Sequence, residues 1–332
     1  MKKVKNNAGE KLSEDELKLK KEKTYDNVLA TIVIKIPELV IPFVNEIFNE
    51  NFTDNARVII KNSKHVFNPG GRSLSRRETD AFLELSELLI QKFYHFECET
   101  WFDENIILRV AEYDSTLAFE NIQKTDSGVL LEYPNSAIIF LRPNNSIPKY
   151  MTITHRGPGG EEMSYKVPTV QIRDYTVDDI FEKKLLILLP FYLFIFANQF
   201  RRIENDETGI QKIVEVLIDI SRRLDDLHRK NEIGEYQKKL ILELMQRVSE
   251  KLTLKFRNIK EGVDSVMRGE VIRTQADEIL EQGEKKGKRN TAGLINFLLT
   301  HGRNDDAIRA TSDENYLNQL LKDYSSGMLK AE

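Results

Sequence analysis

Apolar positions change their period several times along this chain, and each change predicts an element. From Thr24 to Asn51 the residues Ile36, Val40, Val44 and Ile47 keep helical spacing, and Pro37 and Pro42 interrupt them. That predicts one kinked helix or two short ones. Arg57 to Phe67 alternates as a strand does, and Asn68-Pro69-Gly70-Gly71 then turns the chain. Asp80–Ser86 and Lys92–Glu99 are two further strands whose short connection predicts a hairpin. Asp103 to Phe119 carries a capping Asp and apolar residues near helical spacing, Ile107, Val110 and Leu117. Ser136 to Arg142 is a nearly continuous apolar strand of the kind covered on both faces.

Met151 to Tyr175 reads as two antiparallel strands, MTITH and MSYKV, with a further strand to Tyr175. The glycine-rich joint Arg156 to Gly160 has no Gly-Lys-Ser/Thr after it and opens no helix, so it is a hairpin turn and not a phosphate loop. Thr176 is expected to cap a helix carrying the apolar run Leu185 to Ala197. That run is short and holds Pro190, whereas crossing a bilayer takes ~20 apolar residues. A buried helix against a sheet is therefore expected, and no membrane partner.

From Thr208 onward the pattern is helical. The stripe Ile213, Val216, Leu217, Ile220, Leu224 and Leu227 and a second one, Ile241 to Leu252, predict an antiparallel helix pair. Shorter helices are expected over 254–281, a charged linker over Gly283–Asn290, and small helices to the end. A helix-turn-helix DNA reader and a plain helical tail both suit that last segment. The expected division is 1–23 as a disordered basic arm, 24–205 as an α/β domain, 206–282 as a helical hairpin with supporting helices, and 283–332 as a small helical tail. A homodimer through the helical C-terminal region is compatible with these stripes.

Composition narrows the chemistry. A net charge of -4 excludes a uniformly basic nucleic-acid binder but leaves room for a local basic patch. One cysteine, Cys98, permits no internal disulfide and no cysteine-based zinc site, which fits a reducing cytoplasm. The five histidines lack the spacing of a local metal motif.

The candidate chemistry lies between Arg76 and Asp114. Residues two apart on a strand share a face, so Glu97 and Glu99 point together while Tyr94, Phe96 and Cys98 point the other way. Carboxylates on a strand of aromatics are costly without an offsetting cation. A hard dication such as Mg²⁺ takes one or two carboxylates plus waters and phosphate oxygens, and Asp80 with Glu97 supplies such a pair. Glu99 is placed to orient an attacking water. Arg76, Arg77 and Arg109 are the candidate phosphate-facing groups. Acidic residues on strand edges also serve simply to block aggregation. His95 shares the glutamate face, as a packing histidine or as a group behind the site. Trp101 and Phe102 follow directly, either to stack on a base or to pack.

This block resembles the PD-(D/E)XK nuclease superfamily, and more narrowly the Rpn-like family of transposase-associated, recombination-promoting nucleases. The matching stretches are RETD (Arg77 to Asp80), YHFECET (Tyr94 to Thr100), IILRVAEYD (Ile106 to Asp114) and FEKKLLILLPFYLF (Phe181 to Phe194). The resemblance implies an α/β fold with a nuclease-like mixed sheet flanked by helices, followed by a helical C-terminal region. It implies that Asp80 and Glu97 bind Mg²⁺, with Mn²⁺ as substitute, in a DNA endonuclease. The family commonly has Gln, and the superfamily Lys, where this chain has Glu99. Glutamate there suits a second metal or a general base, or marks a decayed site. The alternative is therefore a catalytically inactive DNA-binding or protein-interaction module on the same fold. Glu46 is a further acid that some superfamily members draw from the first helix, and is otherwise a surface glutamate.

Overall fold

The structure, a computed structural model, describes residues 4–5, 11–12, 25, 28–61, 64–67, 75–78, 81–301 and 303–325. For 4–5, 11–12, 64–67, 75–78, 270–289, 311–312, 314–315 and 325 only the backbone is described. The chain divides into two compact units, residues 1–270 and 271–332.

β1 (Val4–Lys5) pairs antiparallel with β2 (Lys11–Leu12) inside the segment expected to be a disordered arm. α1 (Val28–Lys35) is followed by a 3-10 turn, Pro37–Leu39, and by α2 (Val40–Phe48). The two helical pieces meet at 110°. Pro37 causes the break: its ring keeps the preceding residue out of the helical region, and Ile36 sits at φ -140, ψ 59. Pro42 falls in the first turn of α2, where its missing N–H costs nothing.

β3 (Arg57–Ile60) joins the main sheet, whereas β4 (Lys64–Phe67) pairs with β5 (Ser75–Glu78) as a separate hairpin. The single strand expected over 57–67 is thus two. β6 (Ala81–Glu87) and β7 (Ile90–Glu99) form the expected hairpin. Its tip, Leu88 and Leu89, is fully exposed.

α3 (Ile106–Glu120) begins later than expected, because the Asp103 carboxylate accepts the Asn105 backbone N–H at 2.9 Å and forms an entry turn. The hairpin of β8 (Gln123–Thr125) and β9 (Gly128–Leu130) leads to β10 (Asn135–Phe140). β10 pairs in parallel with β7, as a helical crossover permits. β11 (Tyr150–Arg156) turns back into β12 (Glu162–Gln171), which is parallel to β10. In that turn Gly160 adopts φ +89, a conformation that glycine tolerates without strain. β12 is one strand followed by a 3-10 turn, Ile172–Asp174, so the separate strand expected up to Tyr175 does not form.

The main sheet runs in the order β11-β12-β10-β7-β6-β3. Three central parallel strands are flanked by antiparallel partners. α3 covers one face: Ile106 and Val110 pack with Ile138, Phe140, Ile147, Ile153 and Val167. Each such side chain withdrawn from water contributes about 1.5–3 kcal/mol. α2 covers the other face, where Phe43 and Phe48 lie against Phe96 and Tyr94.

Thr176 does cap a helix, with a reciprocal capping box to Asp179, but that helix is only α4 (Val177–Glu182). The apolar run is a separate set of 3-10 turns, Leu186–Gln199, broken from α geometry around Pro190 and largely buried. By length and composition Leu186–Ile203 passes the test for a membrane span, with 67% of it inside the protein. α5 (Phe200–Ile203) follows. α6 (Glu207–Arg229) and α7 (Glu235–Leu252) form the expected helix pair. α8 (Arg257–Thr300) replaces both the expected shorter helices and the charged linker. Lysine, arginine and glutamate are good helix formers, and a lone glycine costs only about 1 kcal/mol. Within the second unit, Leu294 and Leu298 pack with Ala307 and Ala310 of α9 (Asn304–Ser312) and Leu320 of α10 (Glu314–Ser325). The whole is a mixed α/β protein: a six-stranded mixed sheet flanked by helices, with a helical C-terminal region.

Candidate functional site

The alternation expected for β7 holds. Tyr94 and Phe96 turn toward α2, and Cys98 is buried. His95, Glu97 and Glu99 turn toward α3. As β7 runs from His95 to Glu99, α3 passes it in the opposite sense, so Asp114 meets His95 and Arg109 meets the glutamates. The spacing fits: five helical residues advance ~7.5 Å and three strand residues ~10 Å.

A buried chain of polar groups results. His95 Nε2 lies 3.0 Å from Glu97 Oε1, and His95 Nδ1 lies 2.8 Å from Asp114 Oδ1. Carboxylates only accept, so both ring nitrogens donate and His95 is an imidazolium. Ser136 Oγ donates to Asp114 Oδ1 at 2.6 Å, and the Tyr165 hydroxyl donates to Asp114 Oδ2 at 2.9 Å. At the other end Arg109 donates through Nε and Nη2 to Glu97 Oε2, at 3.1 and 2.8 Å, and through Nη2 to Glu99 Oε1.

Burial sets the cost of this chain and its charges offset that cost. Burial alone disfavours the His95 imidazolium, but the hydrogen bonds and charges of Asp114 and Glu97 outweigh it and raise its pKa to about 9. For Glu97 burial opposes ionisation, and His95 and Arg109 together hold its carboxyl below the usual range. Arg109 is likewise raised, with desolvation overcome by Glu97 and Glu99. Burial, followed by the neighbouring Asp114, pushes the Tyr165 phenol up, so it stays a donor. Among the described residues, the carboxylates of Asp114, Glu97 and Glu99 meet the cations of His95 and Arg109 in this cluster. Its exposed end is Arg109 and Glu99, with side chains 36% and 18% accessible, against 2% for Glu97.

Of the residues singled out in the sequence, Glu97, Glu99 and Arg109 converge. Arg109, a candidate phosphate-facing group, is held as the partner of both glutamates, and it comes from the crossover helix. Asp80 lies outside the described residues; the first residue after it, Ala81, stands opposite Phe96. Arg76 and Arg77 belong to β5, for which only the backbone is described. Glu46 does not join the cluster. It lies on α2, on the opposite face of the sheet, and pairs with Lys183 at 2.6 Å. Phe102 packs on Phe140. Among the described residues no three His, Cys, Asp or Glu side chains form a metal-ligand group.

Sequence reasoning missed Asp114, Ser136 and Tyr165. Asp114 carried a signal, since it falls four residues after Val110 on the buried stripe of α3. Ser136 and Tyr165 carried none, because their roles follow from the placement of β10 and β12. No family model, curated protein or solved structure matches this chain.

Proposed function

We propose that this chain is a divalent-metal-dependent deoxyribonuclease of the PD-(D/E)XK type, related to the Rpn-like recombination-promoting nucleases. The observation that carries the reading is the pair of adjoining carboxylates: Glu97 and Glu99 meet at the C-terminal end of a parallel strand, where open α/β sheets place ligands. The donors are hard carboxylate oxygens, which suit Mg²⁺ or Mn²⁺. Asp80 and Glu97 would hold the ion, with Glu99 completing the set. The ion would supply Lewis acidity toward a phosphate oxygen and acidify a bound water.

The chain's own residues do the rest. His95, anchored by Asp114, fixes Glu97 Oε1 and keeps that carboxylate ionised. Glu99, the less buried glutamate, is placed to accept a proton from water. Arg109 holds the two glutamates together and stands beside any phosphate brought to them; Arg76 and Arg77 remain further phosphate-facing candidates. The test is cleavage of supercoiled plasmid with Mg²⁺ or Mn²⁺ by wild type, Asp80→Ala and Glu97→Gln. Cleavage by wild type and its loss in both variants is expected. Equal activity of all three would sink the assignment.

A second reading is a catalytically inactive DNA-binding or protein-interaction module. It is favoured by Arg109, whose guanidinium already engages both glutamates. Calorimetric titration with Mn²⁺ separates the two, since the inactive module shows no binding heat that Glu97→Gln removes.

A further inference from the structure

Beyond the carboxylate cluster, the same end of the sheet carries an aromatic and a cation that the nuclease reading leaves unused. Trp101 follows Glu99 by two residues and is 56% exposed. The guanidinium of Arg142 lies over its ring, 4.2 Å from the centroid. The backbones tie the two places together: Leu141 N–H donates to Glu99 O at 2.8 Å and Arg142 N–H to Thr100 O at 3.3 Å. Arg142 is the residue that the continuous strand β10 delivers just past the candidate carboxylates.

Arg142 is electrostatically incomplete. Among the described residues no carboxylate pairs with it. Its Nη1 makes one long hydrogen bond, 3.3 Å to Asn198 Oδ1, and its Nε is buried with no acceptor. The rings of Trp101 and Phe194 lie against it, and the Tyr25 phenol is near enough to interact with its charge. Burial lowers its pKa, and the Tyr25 phenol opposes that only in part. A partly desolvated guanidinium is costly until an anion meets it, and the planar fork of donors matches phosphate oxygens. The flank is basic as well. Arg201 and Arg202 of α5 lie three and four residues beyond Asn198, are exposed, and make no ion pair among the described residues. Arg202 contacts the neutral Gln199 Oε1 at 2.7 Å.

We propose that Trp101 and Arg142, flanked by Arg201 and Arg202, form a binding platform for single-stranded nucleic acid. One face of Trp101 carries the guanidinium and the exposed face takes an unpaired base. Arg142 and the flanking arginines meet the phosphates on either side. Stacking on aromatic rings combined with arginine contacts is how strands are held without sequence preference. Single strands are favoured over duplex because the exposed face of one indole needs a base whose π-face is free. The inference deepens the nuclease reading, in which the platform would lead a strand toward Glu97 and Glu99, and it is tested without metal so that the two stand or fall separately.

Trp101 is the single tryptophan of the sequence, so its emission reports on this site alone. Full-length protein in EDTA is titrated with fluorescein-labelled oligothymidylate, read by anisotropy, and with the unlabelled oligonucleotide, read by tryptophan emission. Expected is quenching of Trp101 at the midpoint that anisotropy gives, with a duplex of the same length binding more weakly. Trp101→Ala weakens binding on the order of 10- to 100-fold, while Trp101→Phe retains most of it. Arg142→Gln lowers the salt dependence by about one phosphate contact. Trp101→Phe and the circular dichroism of every variant guard against misfolding as the cause. Binding by anisotropy with unchanged Trp101 emission, or unchanged affinity in Trp101→Ala, overturns the platform whatever the plasmid assay shows. Absence of any oligonucleotide binding overturns it too. Binding and quenching with no plasmid cleavage leaves the platform standing and the nuclease reading refuted.

Discussion

The two faces of β7 are equally buried and chemically opposite. Tyr94 and Phe96 are 0% and 1% accessible, and His95 and Glu97 are 0% and 1%. The first pair lies among rings, Phe43 and Phe48, with centroids 5.2 to 5.3 Å apart. The second pair lies in a chain of five ionised groups ending at Arg109 and Glu99. Dry packing contributes stability at any pH. A buried ion chain contributes only while every member keeps its partner and its charge. A strand that places both types back to back holds its ionic face rigid with its apolar face, which is what a preorganised site requires.

Phe96→Ala breaks the apolar face, and should have the largest effect, about 3–5 kcal/mol of lost stability. Urea denaturation at pH 6 and pH 8 should return the same loss; a loss that changes with pH would mean that the faces are not independent.

The ionic face alone should respond to pH. His95 has its pKa raised, so its contribution is complete below its unfolded value of 6.5 and fades as pH rises through about 9. Glu97 is lowered, so its contribution is present above 4.5 and lost as pH falls. In metal-free buffer, stability should decline by on the order of 3 kcal/mol between pH 6.5 and 9. His95→Gln should flatten that decline, and a flat profile in wild type contradicts the imidazolium.

Arg109→Met takes one of two cationic partners from the buried Glu97 and leaves it His95. Removing one partner of a fully buried pair costs ~3–5 kcal/mol. The Arg109 side chain is 36% accessible and partly screened, so about 2–3 kcal/mol is expected. Adding Glu97→Gln should recover part of the loss, and additive losses in the double variant would argue against the pairing. The smallest effect belongs to Tyr165→Phe, which removes one hydrogen bond to the Asp114 carboxylate and should cost roughly 1–2 kcal/mol. A thermal melt unchanged from wild type would place Tyr165 outside the chain.

Legibility followed the range of the interaction. The hairpin of β6 and β7, the shared face of Glu97 and Glu99, and the buried parallel strand β10 are consequences of period-two alternation and were readable. The 3-10 run at Leu186–Gln199 was not, because an all-apolar stretch has no phase from which to choose a helix type. The length of α8 is not legible in the sequence because its charge and glycine suggest a linker, although neither outweighs helix propensity over 257–300.

The residues by themselves determined that carboxylates sit on one face of an aromatic strand and that the opposite face is apolar, because alternation is local backbone geometry. Only the tertiary structure decided what those carboxylates face. Arg109 and Asp114 reach Glu97 and His95 because α3 crosses back over the sheet. Ser136 arrives opposite His95 through the parallel register of β10 and β7, and Tyr165 reaches Asp114 from β12, 51 residues away. The charge state of a buried group depends on such distant partners, since without water their hydrogen bonds and charges are what compensates it.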